Sequence, residues 1–128
     1  DNVKVVPFIY EMPSVMKITD LMVTRAGAST ISEITATLVP SIFIPSPYVV
    51  NNHQYKNAKD LVDQNAGIML EEKDMTDKSL IELIDKTLKD KDKLNDIKNN
   101  LKKIGINDSS TRIYDILKEL IINDRKFY

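Results

Sequence analysis

In this 128-residue chain the segment that best predicts the fold is Leu21-Met22-Val23-Thr24-Arg25-Ala26-Gly27-Ala28-Ser29-Thr30-Ile31-Ser32-Glu33. Its first part has the pattern of an apolar strand, Gly27 predicts a tight turn, and a helical pattern continues through Ile34 and Leu38. The first N–H groups of a helix lack partners within it, and the aligned peptide dipoles place partial positive charge there. A strand, a glycine turn and a helix that begins with small hydroxyl residues therefore predict a phosphate site, as in half of a nucleotide-binding site.

Three residues of this stretch suit a phosphate ligand. Gly27 allows a sharp turn and a close approach of the ligand, because it has no Cβ atom. Ser29 and Thr30 can each cap the helix or donate a hydroxyl hydrogen bond to a phosphate oxygen. Capping and phosphate binding both require a hydroxyl at the helix start, so the presence of serine and threonine alone does not distinguish the two roles.

Glu33 has two interpretations. The segment Thr30-Ile31-Ser32-Glu33 fits a capping box, in which the Glu33 carboxylate accepts a hydrogen bond from the Thr30 N–H. Alternatively, the carboxylate accepts hydrogen bonds from two ribose hydroxyls, as acidic residues near dinucleotide sites do. This segment alone favours the capping box, because the same pattern begins many helices.

Composition excludes several classes of protein. With 42% hydrophobic and 29% charged residues, positions 1–128 suit a single globular domain, and the net charge of −1 gives no general attraction to nucleic acid. Without cysteine there is no disulfide or thiolate metal site, and the single histidine, His53, has no neighbouring ligand for zinc. Because no apolar run is long enough to span a bilayer and no signal peptide begins the sequence, we expect a cytoplasmic protein.

The chain alternates between strand and helix patterns up to residue 70. Strands are predicted over 3–9, 21–24, 41–44 and 67–70, and helices over 13–18, 29–37 and 53–64. This alternation predicts an α/β fold with a parallel sheet that helices cover on both faces.

The last third of the chain is predicted to be entirely helical. One helix over 79–88 follows the cap signal Thr76-Asp77, and a second apolar stripe runs over 94–104. A separate last helix, with its stripe over 113–121, is predicted after the cap cluster Asp108-Ser109-Ser110. Lysines along 86–103 alternate with aspartates, which is typical of a solvated helix face.

A second polar segment, 45–58, leaves the strand 41–44 and enters a helix. Open α/β sheets bind ligands at such carboxyl ends of strands. Gln54 and Asn57 are three residues apart, so they share a helix face and could present their amides to sugar hydroxyls. Asn51 and Asn52 are also good N-cap residues, so ordinary capping and loop chemistry remain the alternative.

Taken in order, these segments resemble the MurG family, the bacterial N-acetylglucosaminyltransferases of peptidoglycan synthesis. The resemblance extends over nearly the whole chain and rests on the order and spacing of Phe8-Ile9, Arg25-Ala26-Gly27-Ala28-Ser29-Thr30 with Glu33, Pro40, Pro45, His53-Gln54 with Asn57-Ala58, and Ala66-Gly67. It implies a partial Rossmann-like domain of the GT-B type. The chain would then be the C-terminal, donor-binding part of a two-domain enzyme whose active site lies in the cleft between the domains.

The resemblance also implies an activity for the longer enzyme. That enzyme transfers N-acetylglucosamine from UDP-N-acetylglucosamine (UDP-GlcNAc) to lipid I, with inversion and without a metal or cofactor, and so makes lipid II. The absent N-terminal domain would hold the lipid acceptor, the membrane-facing patch and the general base, so no catalytic residue is assigned in this chain. We expect the chain alone to be inactive, and the full-length protein to associate peripherally with the cytoplasmic face of the cell membrane.

Carried over by position, the resemblance assigns the donor from the uracil edge through the diphosphate and the ribose to the N-acetylglucosamine. The main chain of Ile9 would bind the uracil edge, and Ala28, Ser29 and Thr30 would bind the diphosphate. Glu33 would bind the ribose, and His53, Gln54 and Asn57 would bind the N-acetylglucosamine. For Glu33 the resemblance favours the ribose ligand over the capping box, because the family uses this position for the ribose.

Two positions depart from the family pattern. Leu38 stands where the family usually has glycine, so a left-handed backbone there would cost about 1 kcal/mol unless the turn differs. His53 stands where some members have glutamine.

Two other functions fit the same residues. The chain could be the soluble donor subunit of a split lipid-linked glycosyltransferase, as in the related eukaryotic enzyme. An exposed apolar patch beside Phe8, Met12 and Ile121-Ile122 would favour that alternative. It could also be a non-catalytic domain that keeps the fold and binds partners only.

Overall fold

The computed structural model describes residues 2–126, without the side chains of Val50, 107–116, Glu119 and 121–126. The helices and strands are α1 (Met12–Lys17), β1 (Met22–Thr24), α2 (Ala28–Thr37), β2 (Ser41–Phe43), α3 (His53–Asp63), β3 (Ile68–Met69), α4 (Asp77–Lys89) and α5 (Lys91–Lys126). Two short 3-10 turns, Val50–Asn52 and Glu72–Asp74, precede α3 and follow β3.

The three strands form a parallel sheet in the order β1-β2-β3, with Val23 opposite Ile42 and Ile42 opposite Ile68. All three residues of the central strand β2 are completely buried. Because successive side chains of a strand point to opposite faces, helices cover both faces of the sheet at β2. The predicted α/β fold with a covered parallel sheet is confirmed.

One hydrophobic core joins the helices to the sheet. Met16 of α1, Ile34 of α2, Leu61 of α3 and Leu101 of α5 are all buried in the cluster that surrounds Phe43 of β2. Burying each such side chain contributes about 1.5–3 kcal/mol to folding. The last helix is therefore part of the domain, since α5 packs against α2 through this core.

Gly67 lies where the chain passes beneath the ring of Phe43. A Cβ atom at this position would stand 2.6 Å from Cε2 of Phe43, which is completely buried and has no room to move. The Ala66-Gly67 pair noted in the sequence thus serves close packing between the start of β3 and the centre of β2.

The predicted strand over 3–9 is wrong. Val5 is 91% exposed, Val3 and Phe8 are also exposed, and no backbone hydrogen bond joins residues 2–10 to another described element. A strand needs a neighbour for its backbone N–H and C=O groups, and within the described residues the one strand paired with β1 is β2. The apolar pattern alone therefore does not form a strand here.

The predicted break at Asp108-Ser109-Ser110 is also wrong, because α5 continues from Lys91 to Lys126. Aspartate and serine cost only a fraction of a kcal/mol inside a helix, so helical patterns on both sides carry the helix through. Ile97 and Leu101 confirm the stripe over 94–104, since both are buried.

In the predicted stripe over 113–121, Leu117 and Leu120 are exposed and the isoleucine side chains lie outside the described residues. None of the helices described between residues 2 and 126 has the length and apolarity of a membrane span.

Candidate functional site

The carboxyl ends of the three parallel strands meet at one edge of the sheet. The loop after β1 leads into α2, the loop after β2 leads through a 3-10 turn into α3, and the segment after β3 contains the turn Glu72–Asp74. Every residue assigned to the donor except Ile9 lies in the first two turns of α2 or α3, the helices that follow the first two of these loops. The structure thus brings the two polar segments of the sequence together.

The start of α2 is open. Its N-cap is Gly27, which has no side chain to cap the helix, and the first backbone hydrogen bond of the helix runs from the Ile31 N–H to the Gly27 carbonyl at 3.0 Å. Within the described residues, the N–H groups of Ala28, Ser29 and Thr30 have no acceptor. Three unpaired donors and the positive end of the helix dipole therefore face outward, as an anion requires.

Gly27 adopts φ −68° and ψ 151°, which any residue can adopt, so the expected need for glycine in a sharp turn is wrong. The expected close approach of a ligand fits the structure, because a Cβ atom at Gly27 would meet none of the described atoms within 4 Å. The space over the helix start is open to a ligand.

The capping-box interpretation of Glu33 is wrong. Thr30 is the third residue of α2, after Ala28 and Ser29, so it does not precede the helix as an N-cap must. Glu33 is exposed, and within the described residues its carboxylate makes no hydrogen bond or ion pair. At four residues from Ser29 and three from Thr30, it lies on the same helix face as the open N-terminus.

Gln54 and Asn57 hold the loop before α2 in place. The Oε1 atom of Gln54 accepts hydrogen bonds from the N–H of Ser46 at 2.8 Å and of Ala26 at 3.4 Å. The Nδ2 atom of Asn57 donates to the carbonyl of Ala26 at 3.1 Å. The two residues share one face of α3, as the spacing predicts, and that face clamps both loops of the site.

The clamp changes what Gln54 and Asn57 can offer a sugar. Their remaining polar atoms, Nε2 of Gln54 and Oδ1 of Asn57, have no hydrogen bond within the described part of the chain. A sugar contact through these two atoms is compatible with the clamp. The assignment of Gln54 and Asn57 to N-acetylglucosamine thus stays a prediction. The structure adds a second role for both residues, which is to hold the loops of the site.

The other two assigned residues are less constrained. His53 is the exposed first residue of α3 and follows Asn52, whose backbone is left-handed with φ 56° and ψ 37°. Ile9 is half-buried, and its main chain has no backbone hydrogen bond within the described residues. Helix α1, which begins three residues after Ile9, packs against α2.

Arg25 has a role that the sequence did not reveal. Its Nη1 atom donates to the carbonyl of Ile44 at 3.1 Å, and its Nη2 atom forms an ion pair with Glu72. One side chain therefore ties the ends of β1 and β2 to the turn after β3. The sequence did contain a signal for the contact with Glu72. Arg25 follows one predicted strand and Glu71-Glu72 follow another, and parallel strands end at the same edge of a sheet.

Residues 1–119 match the family model of the glycosyltransferase family 28 C-terminal domain. Over 121 residues the chain is 48% identical to the UDP-N-acetylglucosamine--N-acetylmuramyl-(pentapeptide) pyrophosphoryl-undecaprenol N-acetylglucosamine transferase of Bacillus cytotoxicus, with 94% of this chain and 33% of that protein aligned. The protein of the same name from Bacillus licheniformis is 46% identical over 119 residues, which is 93% of this chain and 32% of that protein.

The chain thus spans about a third of the length of the curated relatives it matches. Among solved structures, MurG of Acinetobacter baumannii superposes with a TM-score of 0.71 at 33% identity, covering 78% of this chain and 28% of that one. The resemblance to the MurG family and the predicted fold class are confirmed by these matches. Because the family model extends over nearly the whole chain, the chain belongs to the glycosyltransferase family 28 C-terminal domain family.

Proposed function

We propose that this chain is the UDP-GlcNAc-binding part of an inverting N-acetylglucosaminyltransferase that makes lipid II from lipid I in peptidoglycan synthesis. The observation that carries the proposal is the open start of α2 in a chain of this family, with Glu33 exposed on the same helix face. The relatives at 46–48% identity are named for this transfer, which supports the choice of donor and acceptor.

In this proposal the N–H groups of Ala28, Ser29 and Thr30 bind the diphosphate, with hydroxyls of Ser29 and Thr30 beside them. Negative charge grows on the diphosphate as the bond to the anomeric carbon of N-acetylglucosamine breaks. The α2 dipole stabilises that charge more in the transition state than in the bound donor, and so lowers the barrier.

The carboxylate of Glu33 accepts hydrogen bonds from the ribose hydroxyls, and the main chain of Ile9 binds the uracil edge. The sugar lies against His53, Gln54 and Asn57. The acceptor hydroxyl attacks from the opposite side of the anomeric carbon and gives its proton to a base outside this chain. As a single domain over 1–128, the chain binds the donor and does not transfer its sugar alone.

The lipid acceptor and the membrane are partners of the longer protein in this proposal, which places that protein at the cytoplasmic face of the cell membrane. Incubating the 128-residue chain with UDP-GlcNAc and lipid I tests this division of labour. The expected result is no release of UDP. Release of UDP together with glycosylated acceptor would contradict it.

Donor binding is tested by amide NMR titration of the isotope-labelled chain with UDP-GlcNAc, UDP and ADP. Shifts are expected at Ile9, 28–33 and 53–57, and UDP should bind more tightly than ADP. Glu33→Ala should weaken UDP binding roughly tenfold, because it removes hydrogen bonds to a charged group.

Glu82→Ala is the matched control. Glu82 is an exposed carboxylate six residues after the N-cap of α4, as Glu33 is six residues after the N-cap of α2. This variant should leave UDP binding unchanged. A folded chain whose amides shift with none of the three nucleotides would overturn the proposal and favour a domain that binds partners only.

A second candidate function is the soluble donor subunit of a split enzyme. The favouring observation is the exposed apolar segment at the start of the chain, in which Phe8 is 67% exposed and its ring lies edge-to-face with that of Tyr10. Met12 is not part of this exposed segment, because it packs against the core, and Ile121-Ile122 lie outside the described side chains. Recovery of a separate membrane-bound subunit with the tagged chain from its source cells, lost in Phe8→Asp, would support this alternative.

A further inference from the structure

A groove of about 810 Å³ lies between the edge strand β3 and the first turns of α5, and is here named the β3 groove. Its lining includes Asn65, Ile68, Met69, Asp92, Asp96 and Asn100. The volume falls within the range of cavities that bind ligands. None of the residues assigned to the donor lines this groove. It is therefore a separate surface of the domain.

One wall of the β3 groove is the free edge of the sheet. Among the described residues β3 pairs with β2 alone, and the Leu70 N–H donates to the Phe43 carbonyl at 2.9 Å. Backbone groups of successive residues point to opposite sides of a strand, so the N–H and C=O of Met69 point away from β2. Within the described part of the chain neither group has a hydrogen-bond partner. Met69 therefore presents one free donor and one free acceptor to the groove.

The other wall, formed by α5, is tied to this edge. The Nδ2 atom of Asn100 donates to the carbonyl of Asn65 at 2.9 Å, just before the start of β3. Ile97, three residues before Asn100, is 2% exposed and anchors α5 in the hydrophobic core. The groove is therefore formed in the free chain, so a ligand binds without the cost of ordering its walls.

The charge of the β3 groove is mainly negative. Asp90, Asp92 and Asp96 line it, together with Lys93. Asp90 accepts a hydrogen bond from the Lys93 N–H at 3.1 Å, whereas Asp92 and Asp96 are exposed and have no ion pair within the described residues. At a spacing of four residues they share one face of α5. The surplus of carboxylates attracts a cationic ligand.

Two other cationic or strand-forming occupants fit less well. Among the described residues no group of three or more histidine, cysteine, aspartate or glutamate side chains is arranged to hold a metal ion. A second copy of this chain would bring its own carboxylates to the same edge, and like charges oppose that pairing. A basic peptide meets both requirements, because its backbone pairs with the free edge and its side chains pair with the carboxylates.

We propose that the β3 groove binds an extended segment of a partner protein that has lysine or arginine at alternate positions. The segment lies beside β3 as an additional strand, accepts a hydrogen bond from the Met69 N–H and donates one to the Met69 carbonyl. Because the side chains of a strand alternate between its two faces, the basic side chains share one face and reach Asp92 and Asp96. This partner site goes beyond the donor function and does not rest on it.

The test is an amide NMR titration of the isotope-labelled 128-residue chain with the peptide acetyl-Lys-Val-Lys-Val-Lys-amide. Shifts are expected at 65–70 and 90–100, and the resonances of 28–33 should stay in place. The same peptide with its three central N–H groups methylated keeps its charges but loses these backbone donors, so it should bind roughly 10-fold more weakly. Asp92→Asn combined with Asp96→Asn should weaken binding of the unmethylated peptide roughly 3- to 10-fold.

Glu82→Gln combined with Asp85→Asn is the matched control, because it removes two exposed carboxylates from α4 that do not line the groove. It should leave peptide affinity unchanged. Equal losses in the two double variants would overturn the proposal, since net charge alone would then explain the binding. Equal affinity for the methylated peptide, or no binding to the folded chain, would also overturn it. Shifts at 65–70 that follow protein concentration without peptide would place a second copy at this edge and contradict the proposal.

Titration of the same sample with UDP separates this inference from the proposed function. UDP binding is reported by amides 28–33, and peptide binding by amides 65–70 and 90–100. A chain that binds the peptide but no UDP would contradict the donor function and still support the partner site. A chain that binds UDP but no peptide would support the donor function and overturn the partner site.

Discussion

Helices α2 and α4 begin in closely related ways, yet one start is closed and the other is open. Each has a hydroxyl residue at its third position, Thr30 in α2 and Ser79 in α4, and each has a glutamate six residues after its N-cap. In α4 the N-cap is Thr76, whose Oγ1 accepts from the Ser79 N–H at 3.0 Å while its own N–H donates to Ser79 Oγ at 2.8 Å. The cap predicted at Thr76 is thus confirmed.

Two residues make the difference between the two helix starts. In α2 the N-cap is Gly27, which offers no side-chain acceptor, and the next residue is Ala28, where α4 has Asp77. Helix α4 therefore carries an acceptor and a negative charge of its own at the positive end of its dipole. Helix α2 lacks both, so its start is open to a ligand. The hydroxyl at the third position takes part in the cap of α4 but not in a cap of α2.

The largest effect is expected from closing the start of α2. Gly27→Asp places a carboxylate at an N-cap whose backbone already suits it and where added atoms meet nothing within 4 Å. The carboxylate occupies the free N–H groups and repels the diphosphate, which should weaken UDP binding by about 2 kcal/mol, roughly 30-fold. Calorimetric titration with UDP measures this.

Gly27→Ala is the control for that prediction, because it adds a Cβ atom without a cap or a charge. Its UDP affinity should stay close to that of the unchanged chain. Equal losses in both variants would show that steric exclusion, and not the open helix start, governs binding.

A smaller effect is expected from releasing the loop that leads into α2. Gln54→Leu leaves the N–H groups of Ser46 and Ala26 without their acceptor, which should cost about 1–2 kcal/mol of unfolding free energy in urea. Because the loop positions the start of α2, the affinities for UDP and for UDP-GlcNAc should fall together. A loss confined to UDP-GlcNAc would instead identify Gln54 mainly as a sugar ligand.

Opening the start of α4 should affect stability alone. Thr76→Ala removes the acceptor for the Ser79 N–H and should lower the unfolding free energy by about 1 kcal/mol. UDP affinity should not change, because α4 does not contribute to the donor site. Urea unfolding and UDP titration of the same variant check both statements, and a loss of UDP binding in the folded variant would contradict the separation of the two helix starts.

The smallest effect concerns the other ends of the same helices. Leu38 caps α2 with a left-handed backbone, φ 60° and ψ 30°, while Asp90 caps α4 at φ −95°. Leu38→Gly should be more stable than Leu38→Ala by about 0.5–1 kcal/mol, since both lose the leucine packing and only alanine keeps the strain. Asp90→Gly should not be more stable than Asp90→Ala. Urea unfolding of these four variants measures the two differences in stability.

Local patterns predicted most elements of the fold. Helices α2, α3 and α4 begin within two residues of their expected positions, because hydrophobic period and polar cap signals are local properties of the sequence. The left-handed backbone at Leu38 was raised by the family resemblance and not by a local pattern, because the family usually has glycine at this position. The strand predicted over 3–9 is wrong because a strand also needs a neighbouring strand. The break predicted at Asp108-Ser109-Ser110 is wrong because helical patterns on both sides carry the helix through these residues.

The amino-acid pattern alone predicts the alternating order of elements, the parallel sheet and the polar residues near its carboxyl edge. Which of those polar groups already have hydrogen-bond partners, and which are open to a ligand, depends on the folded arrangement. Gln54 and Asn57 reach Ala26 across 28 and 31 residues of sequence, and Arg25 reaches Glu72 across 47, so no local pattern reveals these bonds. Among the residues that the structure describes, no acceptor reaches three N–H groups at the start of α2 and no donor reaches the carboxylate of Glu33, because the fold places no such group close to them.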